Sequence, residues 1–385
     1  MDLKLFFDAI PEALAEGISA ASTFYKHIKA NVHQMPNYKD ADIAIIGLSE
    51  HRGATAQEGV QDAANAIRRH LYRLRKGTGA WQIADLGNMR NGVDIQDSHD
   101  RLREVCQILI EHNTLPLIIG GTHDLTYGQY QAYEHMEKLI SVLNVDAFLD
   151  MEEGDVPWED KHLNRLLLHE PNYLFNYSHL AYQSYLIDRK AIEVIEKLYF
   201  EAYRIGHLRQ HIRDMEPIIR DADMLSFDIN AIKSADAPGG TRPQPFGLTG
   251  EEACQICWYA GLNEKLSSTG FYGYNPAHDD AMGKTAQVIS TMAWYFIEGY
   301  YHRREEQDFM ANDYLRFVVS MPAEPETITF FKSRITEKWW MEVPYPVGKK
   351  KYARNCIVPC SYSDYEKATR GDLPERWIST HAKLI

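Results

Sequence analysis

Short apolar runs alternate with amphipathic stretches along most of the chain. DIAIIGL (42–48), WQIADLG (81–87), LPLIIGG (115–121), ISVLNVDAF (140–148), MLSFDIN (224–230) and TGFYGYN (269–275) read as strands. They are near-continuously apolar, which suits strands buried on both faces. Between them, the stretch 59–76, 98–111, a segment starting near Leu125, 249–262 and 280–304 repeat apolar positions at helical spacing. EAYRIG (201–206), followed by a further helix, keeps the same rhythm. Strand–helix alternation predicts an α/β fold with a mainly parallel sheet covered on both faces. Ligand sites in such folds gather at the C-terminal ends of the strands.

Two segments depart from this rhythm. Residues 151–200 are rich in Tyr, His and Asn and read as long loops with one or two helices, LIDRKAIEVIEKLYF being the clearest. Residues 306–385 carry ITFFKSRITEKWWMEVPYP, the basic run KKKYARN and a last polar segment. That tail is too aromatic for disorder and predicts strands or a hairpin packed on the body. The expected division is therefore a body at 1–305 and a C-terminal extension at 306–385, with no internal repeat. The tail's Phe330, Phe331, Trp339, Trp340 and Tyr345 suit a subunit interface, a lid over the pocket, or packing within the tail itself.

Charge and cysteine content narrow the class. A net charge of −13 disfavours nucleic-acid phosphates as a partner. No stretch is apolar enough to cross a membrane, and the N-terminus does not resemble a signal peptide. Five cysteines, an odd number in a large chain, predict a reducing cytoplasm rather than a disulfide framework. Cys254 and Cys257 spell CxxC, but they lie in a helical stretch with no second pair at ligand spacing, so packing is the expectation.

The chemistry-bearing residues stand at three strand ends. Thr122-His123-Asp124 follow LPLIIGG, Asp146 and Asp150 follow ISVLNV, and Asp228 and Asn230 follow MLSF. One His among several carboxylates suits a divalent ion such as Mn²⁺. Buried carboxylates this close need a compensating cation. Strand alternation would place Asp146, Phe148 and Asp150 on one face, and Asp228 with Asn230 on another. Asp124 reads as a further ligand, an acid–base group or a cap on the helix from Leu125, and the cap is the reading carried forward.

The patterns GG-x-H (120–123), VDA-x-x-D (145–150), SFD-x-N (226–230) and G-x-NP (273–276) resemble the ureohydrolases: arginase, agmatinase and formimidoylglutamase. DIAIIGLSEHRGATAQEGVQDAANAIR (42–68) resembles their opening strand, loop and first helix. The likeness spans about residues 40–304. It implies a three-layer α/β/α sandwich, a pair of Mn²⁺ ions at the strand ends and hydrolysis of a C–N bond in a guanidinium or amidine. It also implies that His123, Asp146, Asp150 and Asp228 are the metal ligands of one ion. Three positions depart from the family. Phe148 stands in place of a histidine ligand, Asn230 in place of an aspartate ligand, and Gly273 in place of a substrate-binding glutamate.

The resemblance thus predicts one divalent ion, Mn²⁺ the first choice, with the second site lost at Phe148 and Asn230. Asp146 and His162 are the candidate catalytic residues. His162 falls near the family's proton-shuttling histidine, while its other reading is a surface-loop histidine. The implied function is a formimidoylglutamase-like hydrolase of linear amidines, acting on a small nitrogen compound and working as a homo-oligomer. The alternative is an inactive homologue with a regulatory, metabolite-binding or structural role. Histone-deacetylase-like chemistry fits less well, because it uses the histidine replaced by Phe148.

Overall fold

The apolar runs form strands whose residues are enclosed along nearly their whole length: Ile43–Leu48 (β1), Ile83–Met89 (β2), Leu115–Gly120 (β3), Ile140–Val145 (β4), Met224–Asp228 (β7) and Ser268–Tyr272 (β8). With Leu174–Tyr182 (β5) and Glu201–Arg204 (β6) they pair in parallel, in the order β2-β1-β3-β8-β7-β4-β5-β6. A two-residue strand, Phe7–Asp8, runs antiparallel along β2. This computed structural model describes all residues except 1–2, 56–57, 137, 305, 307, 310–311, 345–356 and 385.

Helices Ala63–Leu71 (α1), Ile95–Glu111 (α2), Thr126–Gln131 (α3), His162–Leu167 (α4), Arg189–Lys197 (α5), Ile205–Gln210 (α6), Glu216–Arg220 (α7), Gly250–Leu262 (α8) and Lys284–Tyr301 (α9) cover the sheet. Strand alternation decides which layer each apolar side chain joins. Ile45, Leu117 and Phe271 face α1, α8 and α9 through Ile67, Ile256 and Phe296. Ile46, Ile118 and Tyr272 face α2 and α3 through Leu102, Val105 and Tyr130. The result is the expected three-layer α/β/α sandwich.

Capping sets the helix limits. Thr249 and Glu252 form a reciprocal capping box at the start of α8. α2 begins earlier than the predicted residue 98, because Asp94 accepts from Asp97 N at 2.8 Å and starts the helix there. The stretch 59–76 is α-helical only over α1, after Gly59 (φ +95°) and a single 3₁₀ turn.

The segment 151–200 holds the expected helices, LIDRKAIEVIEKLYF supplying α5, but the rest is not a long loop. It contributes α4, α5 and a nine-residue strand, β5, set between β4 and β6. Polar residues in LFNYSHLAY masked it. They are buried but hydrogen-bonded: Ser178 Oγ donates to Glu201 Oε2 at 2.9 Å, and Tyr177 Oη meets His179 Nδ1 at 3.0 Å.

The tail folds as an antiparallel sheet, Tyr314–Ser320 (β9), Thr327–Ser333 (β10), Trp339–Glu342 (β11) and Ile357–Cys360 (β12), in chain order, with helices Tyr362–Thr369 (α10) and Glu375–Leu384 (α11). Phe330, Trp339, Met341 and Trp377 make its core. Trp340 stacks on the Arg220 guanidinium at 4.3 Å, and Arg220 Nη2 donates to Trp339 O at 3.1 Å. Arg220 ends α7 just before β7, so the tail seats at the N-terminal edge of the sheet. The lid reading of these aromatics is therefore wrong, because ligand-bearing strand ends lie at the opposite edge. Tyr345 and the basic run 349–355 lie outside the described residues. Among the described residues no helix is long and apolar enough to cross a membrane.

Candidate metal centre

β3, β8, β7 and β4 are neighbours in the sheet, so their C-terminal ends converge whatever their separation in sequence. His123 lies beyond β3 after Gly120 and Gly121, both at positive φ (+85° and +80°). Asp228 is the last residue of β7, and Asp146 directly follows β4. His123 Nδ1 stands 3.3 Å from Asp146 Oδ2, 3.2 Å from Asp150 Oδ2 and 3.1 Å from Asp228 Oδ2. All four are buried.

Strand alternation does not extend past Val145, contrary to the sequence expectation. Asp150 reaches the cluster through a left-handed backbone (φ +53°). Phe148 is half-buried, with the Arg242 guanidinium 4.0 Å from its ring centroid. Asn230 sits in a 3₁₀ turn, its Oδ1 accepting from Arg242 N at 2.7 Å and its Nδ2 donating to Thr241 Oγ1 at 3.0 Å.

The donor set fits a divalent ion. His123 Nε2 faces Asn144 Oδ1 at 3.2 Å and Ser226 Oγ at 3.1 Å. An N–H donated there turns the Nδ1 lone pair toward three carboxylates. Lone pairs so placed repel unless a proton or a cation lies among them. Both Asp146 oxygens and Asp228 Oδ2 have no hydrogen-bond partner. Ligands held about 2.2 Å from one ion stand about 3 Å apart, the spacing of His123 Nδ1 from each of the three carboxylates. Burial, then the charges of Asp228 and Asp150, push Asp146 well above the usual carboxylate range. Burial also opposes ionisation of Asp150, but Arg242 and His123 outweigh it and hold that carboxyl below the range.

At the two positions that depart from the family's second-ion ligands, Phe148 has no lone pair, and the Asn230 carboxamide is hydrogen-bonded to the 241–242 turn. Gly273 (φ +75°) allows no restored glutamate without rearrangement, since a Cβ there would lie 2.4 Å from Asp228 Oδ1.

His162 is not on the surface. It opens α4, buried, with Nδ1 3.6 Å from Asp150 Oδ2 and 3.1 Å from Glu159 O, its ring 4.3 Å from that of His123. His123 and Asp150 with His162 form a second grouping of metal-ligating type beside His123, Asp146 and Asp228. Burial, then the neighbouring His123, lowers His162 to about 4.

The cap reading of Asp124 is wrong. Its side chain caps no helix and instead pairs with His99 Nε2 at 2.7 Å, both groups enclosed. Cys254 and Cys257 lie on α8 and belong to no metal-type grouping among the described residues.

Sequence reasoning missed three neighbours of the centre. His179 Nε2 lies 3.1 Å from the Asp146 carbonyl oxygen. Glu159 is fully enclosed, with Oε1 accepting from Thr55 N at 3.2 Å and Oε2 unpartnered. Burial, against the pull of Arg242, lifts it to about 8. Arg242 donates from Nη2 to Asp150 Oδ1 at 3.0 Å and pairs with Asp160. The signals were slight: one His inside NYSHLAY, and one Arg in the loop GGTRPQPFG soon after SFDIN.

Comparison with known proteins bears on the family and the fold. A formimidoylglutamase of Staphylococcus haemolyticus is 23% identical over 283 residues, spanning 70% of this chain and 90% of that protein. A crystal structure of Trypanosoma cruzi formiminoglutamase with Mn²⁺ superposes with a TM-score of 0.64 at 20% identity, covering 70% of this chain and 96% of that one. The formimidoylglutamase of Bacillus subtilis gives 0.63 at 18% identity, covering 75% and 96%. Residues 41–298 match the model of the arginase family, and the chain belongs to that family.

Proposed function

We propose that the protein is a metal-dependent hydrolase of C–N bonds in linear amidines, formimidoylglutamase-like, working at a single-ion centre with altered or weak turnover. The observation that carries this reading is the convergence of His123, Asp146, Asp150 and Asp228, with three buried carboxylate oxygens left without partners. A divalent ion in this donor set, Mn²⁺ the first candidate, would supply Lewis-acid activation of water against the C–N carbon.

The chain's own groups then have defined tasks. His123 is held in one tautomer by Asn144 and Ser226. Asp146 presents its unpartnered oxygens to the centre while His179 fixes its backbone carbonyl. His162, kept neutral by burial, is placed to take up or return a proton beside Asp150. The fit of the substrate's cationic end differs from the family pattern, because Gly273 supplies no carboxylate.

The test is turnover. Protein loaded with Mn²⁺, Zn²⁺, Ni²⁺ or Fe²⁺ is assayed for formamide, urea or ammonia release from formiminoglutamate, arginine, agmatine and guanidinobutyrate. Release from formiminoglutamate that disappears in Asp146→Ala supports the reading. Metal bound by the wild type with no release from any substrate refutes catalysis and favours a binding role.

A further inference from the structure

The three departures from the family pattern converge on one short loop, and that loop delivers a guanidinium to the centre. Phe148 presents its ring face to the guanidinium of Arg242, 4.0 Å away. Asn230 Oδ1 accepts the backbone N–H of Arg242 at 2.7 Å, and the carbonyl of Gly273 accepts that of Thr241 at 2.8 Å. Gly240 lets the loop approach so closely, since a Cβ there would lie 2.4 Å from Asn230 Oδ1. Each side chain that would have disabled a second ion thus holds Arg242 in place.

The guanidinium lies on the far side of the Asp150 carboxylate from His123: Nη2 meets Oδ1, while His123 meets Oδ2. Its other arm pairs with Asp160 at the rim. The side chain is 21% exposed, against 1% for Asp150, so it stands between the cluster and solvent. A ring face and two carboxylates around a planar cation are a built seat for it.

Charge balance agrees with this placement. Asp146, Asp150 and Asp228 bring three negative charges into a space with almost no water contact. Arg242 also pairs with Asp160, so one divalent ion and the guanidinium set three positive charges against four carboxylates. A second divalent ion beside Arg242 would leave excess positive charge in the same enclosed space, where uncompensated charge is costly.

We propose that Arg242 is the fixed second cation of this centre, a guanidinium held by Phe148, Asn230 and the 240–242 loop against Asp150, so that the protein binds one divalent ion per chain. This rests on the metal-centre reading above. It goes further in naming the residue that enforces a single ion and in predicting that this residue opposes metal binding. A positive charge bonded to a metal ligand repels the incoming ion, so removing it tightens binding.

The full-length protein is loaded with excess Mn²⁺, freed of unbound metal, and analysed for manganese per chain and by electron paramagnetic resonance. Calorimetry gives the Mn²⁺ dissociation constant for wild type, Arg242→Gln and Arg242→Lys. The expected results are one Mn²⁺ per wild-type chain with the spectrum of an isolated ion, and binding about tenfold tighter or more in Arg242→Gln. Arg242→Lys, which keeps the charge, stays nearer to wild type. An exchange-coupled Mn²⁺ pair in wild type overturns the proposal and the single-ion part of the reading above, and leaves C–N hydrolysis standing; unchanged or weaker binding in a folded Arg242→Gln overturns the proposal alone. Wild type that binds no ion overturns the hydrolase reading, and this proposal with it. A manganese pair in wild type overturns the proposal even if the variants do not fold.

Discussion

A methyl group at Gly273 probes the crowding around Asp228. Gly273 has φ +75°, where an L-residue costs about 1–2 kcal/mol. The added Cβ of Gly273→Ala would lie 2.4 Å from Asp228 Oδ1, far inside the optimum of about 3.5–4.0 Å. The backbone cannot easily retreat, since Gly273 N donates to Gly121 O at 3.0 Å and Gly273 O accepts from Thr241 N at 2.8 Å. Asp228 must therefore swing, and its Oδ1 loses the hydrogen bond from Asn230 N at 2.7 Å. A bond to a charged acceptor is worth about 1.5–3 kcal/mol. The variant should lose about 3–4 kcal/mol of unfolding free energy in urea at neutral pH without added metal. Displacing one donor should also weaken Mn²⁺ binding by about 10–100-fold, the range seen when a ligand's support is removed. Stability within about 0.5 kcal/mol of wild type, together with unchanged Mn²⁺ affinity, would refute the crowding argument and reopen this position to a substrate-binding side chain.

Further outcomes follow from the same geometry. Asp146→Asn removes a carboxylate forced against two others, so without metal it should be more stable than wild type by roughly 1–3 kcal/mol. Its melting temperature should no longer rise with Mn²⁺, a comparison made by calorimetry with and without chelator. His99→Leu strands Asp124 without its buried partner and should cost about 3–5 kcal/mol in chemical denaturation; were Asp124 a helix cap, the change would be nearly neutral. Glu50 is enclosed, and although burial opposes its ionisation, hydrogen bonds from Arg52 and Ser98 hold it at about 2 against an ordinary 4.5. Its folded value lies below its unfolded one, so its stabilisation is complete above pH 4.5 and lost as pH falls toward 2. Glu50→Gln should therefore be less stable by on the order of 3 kcal/mol at pH 7, with the gap closing across that acid window in unfolding titrations.

What the sequence determined by itself is the part of the protein in which local pattern and position coincide. Near-continuous apolar runs are enclosed on both faces of a parallel sheet, so β1, β3, β4, β7 and β8 were legible from periodicity alone. Polar residues that directly follow such runs lie at a strand end by chain continuity, which sets His123, Asp146 and Asp228 each at a C-terminal strand end, and the strand order then brings them together. Strand β5 was hidden because its buried Asn176, Ser178 and His179 are satisfied by partners on other strands or on its own, and a sequence does not display hydrogen bonds. Only the tertiary structure decided where side chains beyond the strand ends point. Past Val145 the alternation rule lapses, and a left-handed Asp150 and a 3₁₀ turn at Asn230 aim the side chains instead. It also brought Arg242 onto Asp150, 92 positions away in the chain, and so determined which charges the buried carboxylates share. Such contacts come from the packing of loops over the sheet, where one residue's partner is set by the whole fold and not by its neighbours in sequence.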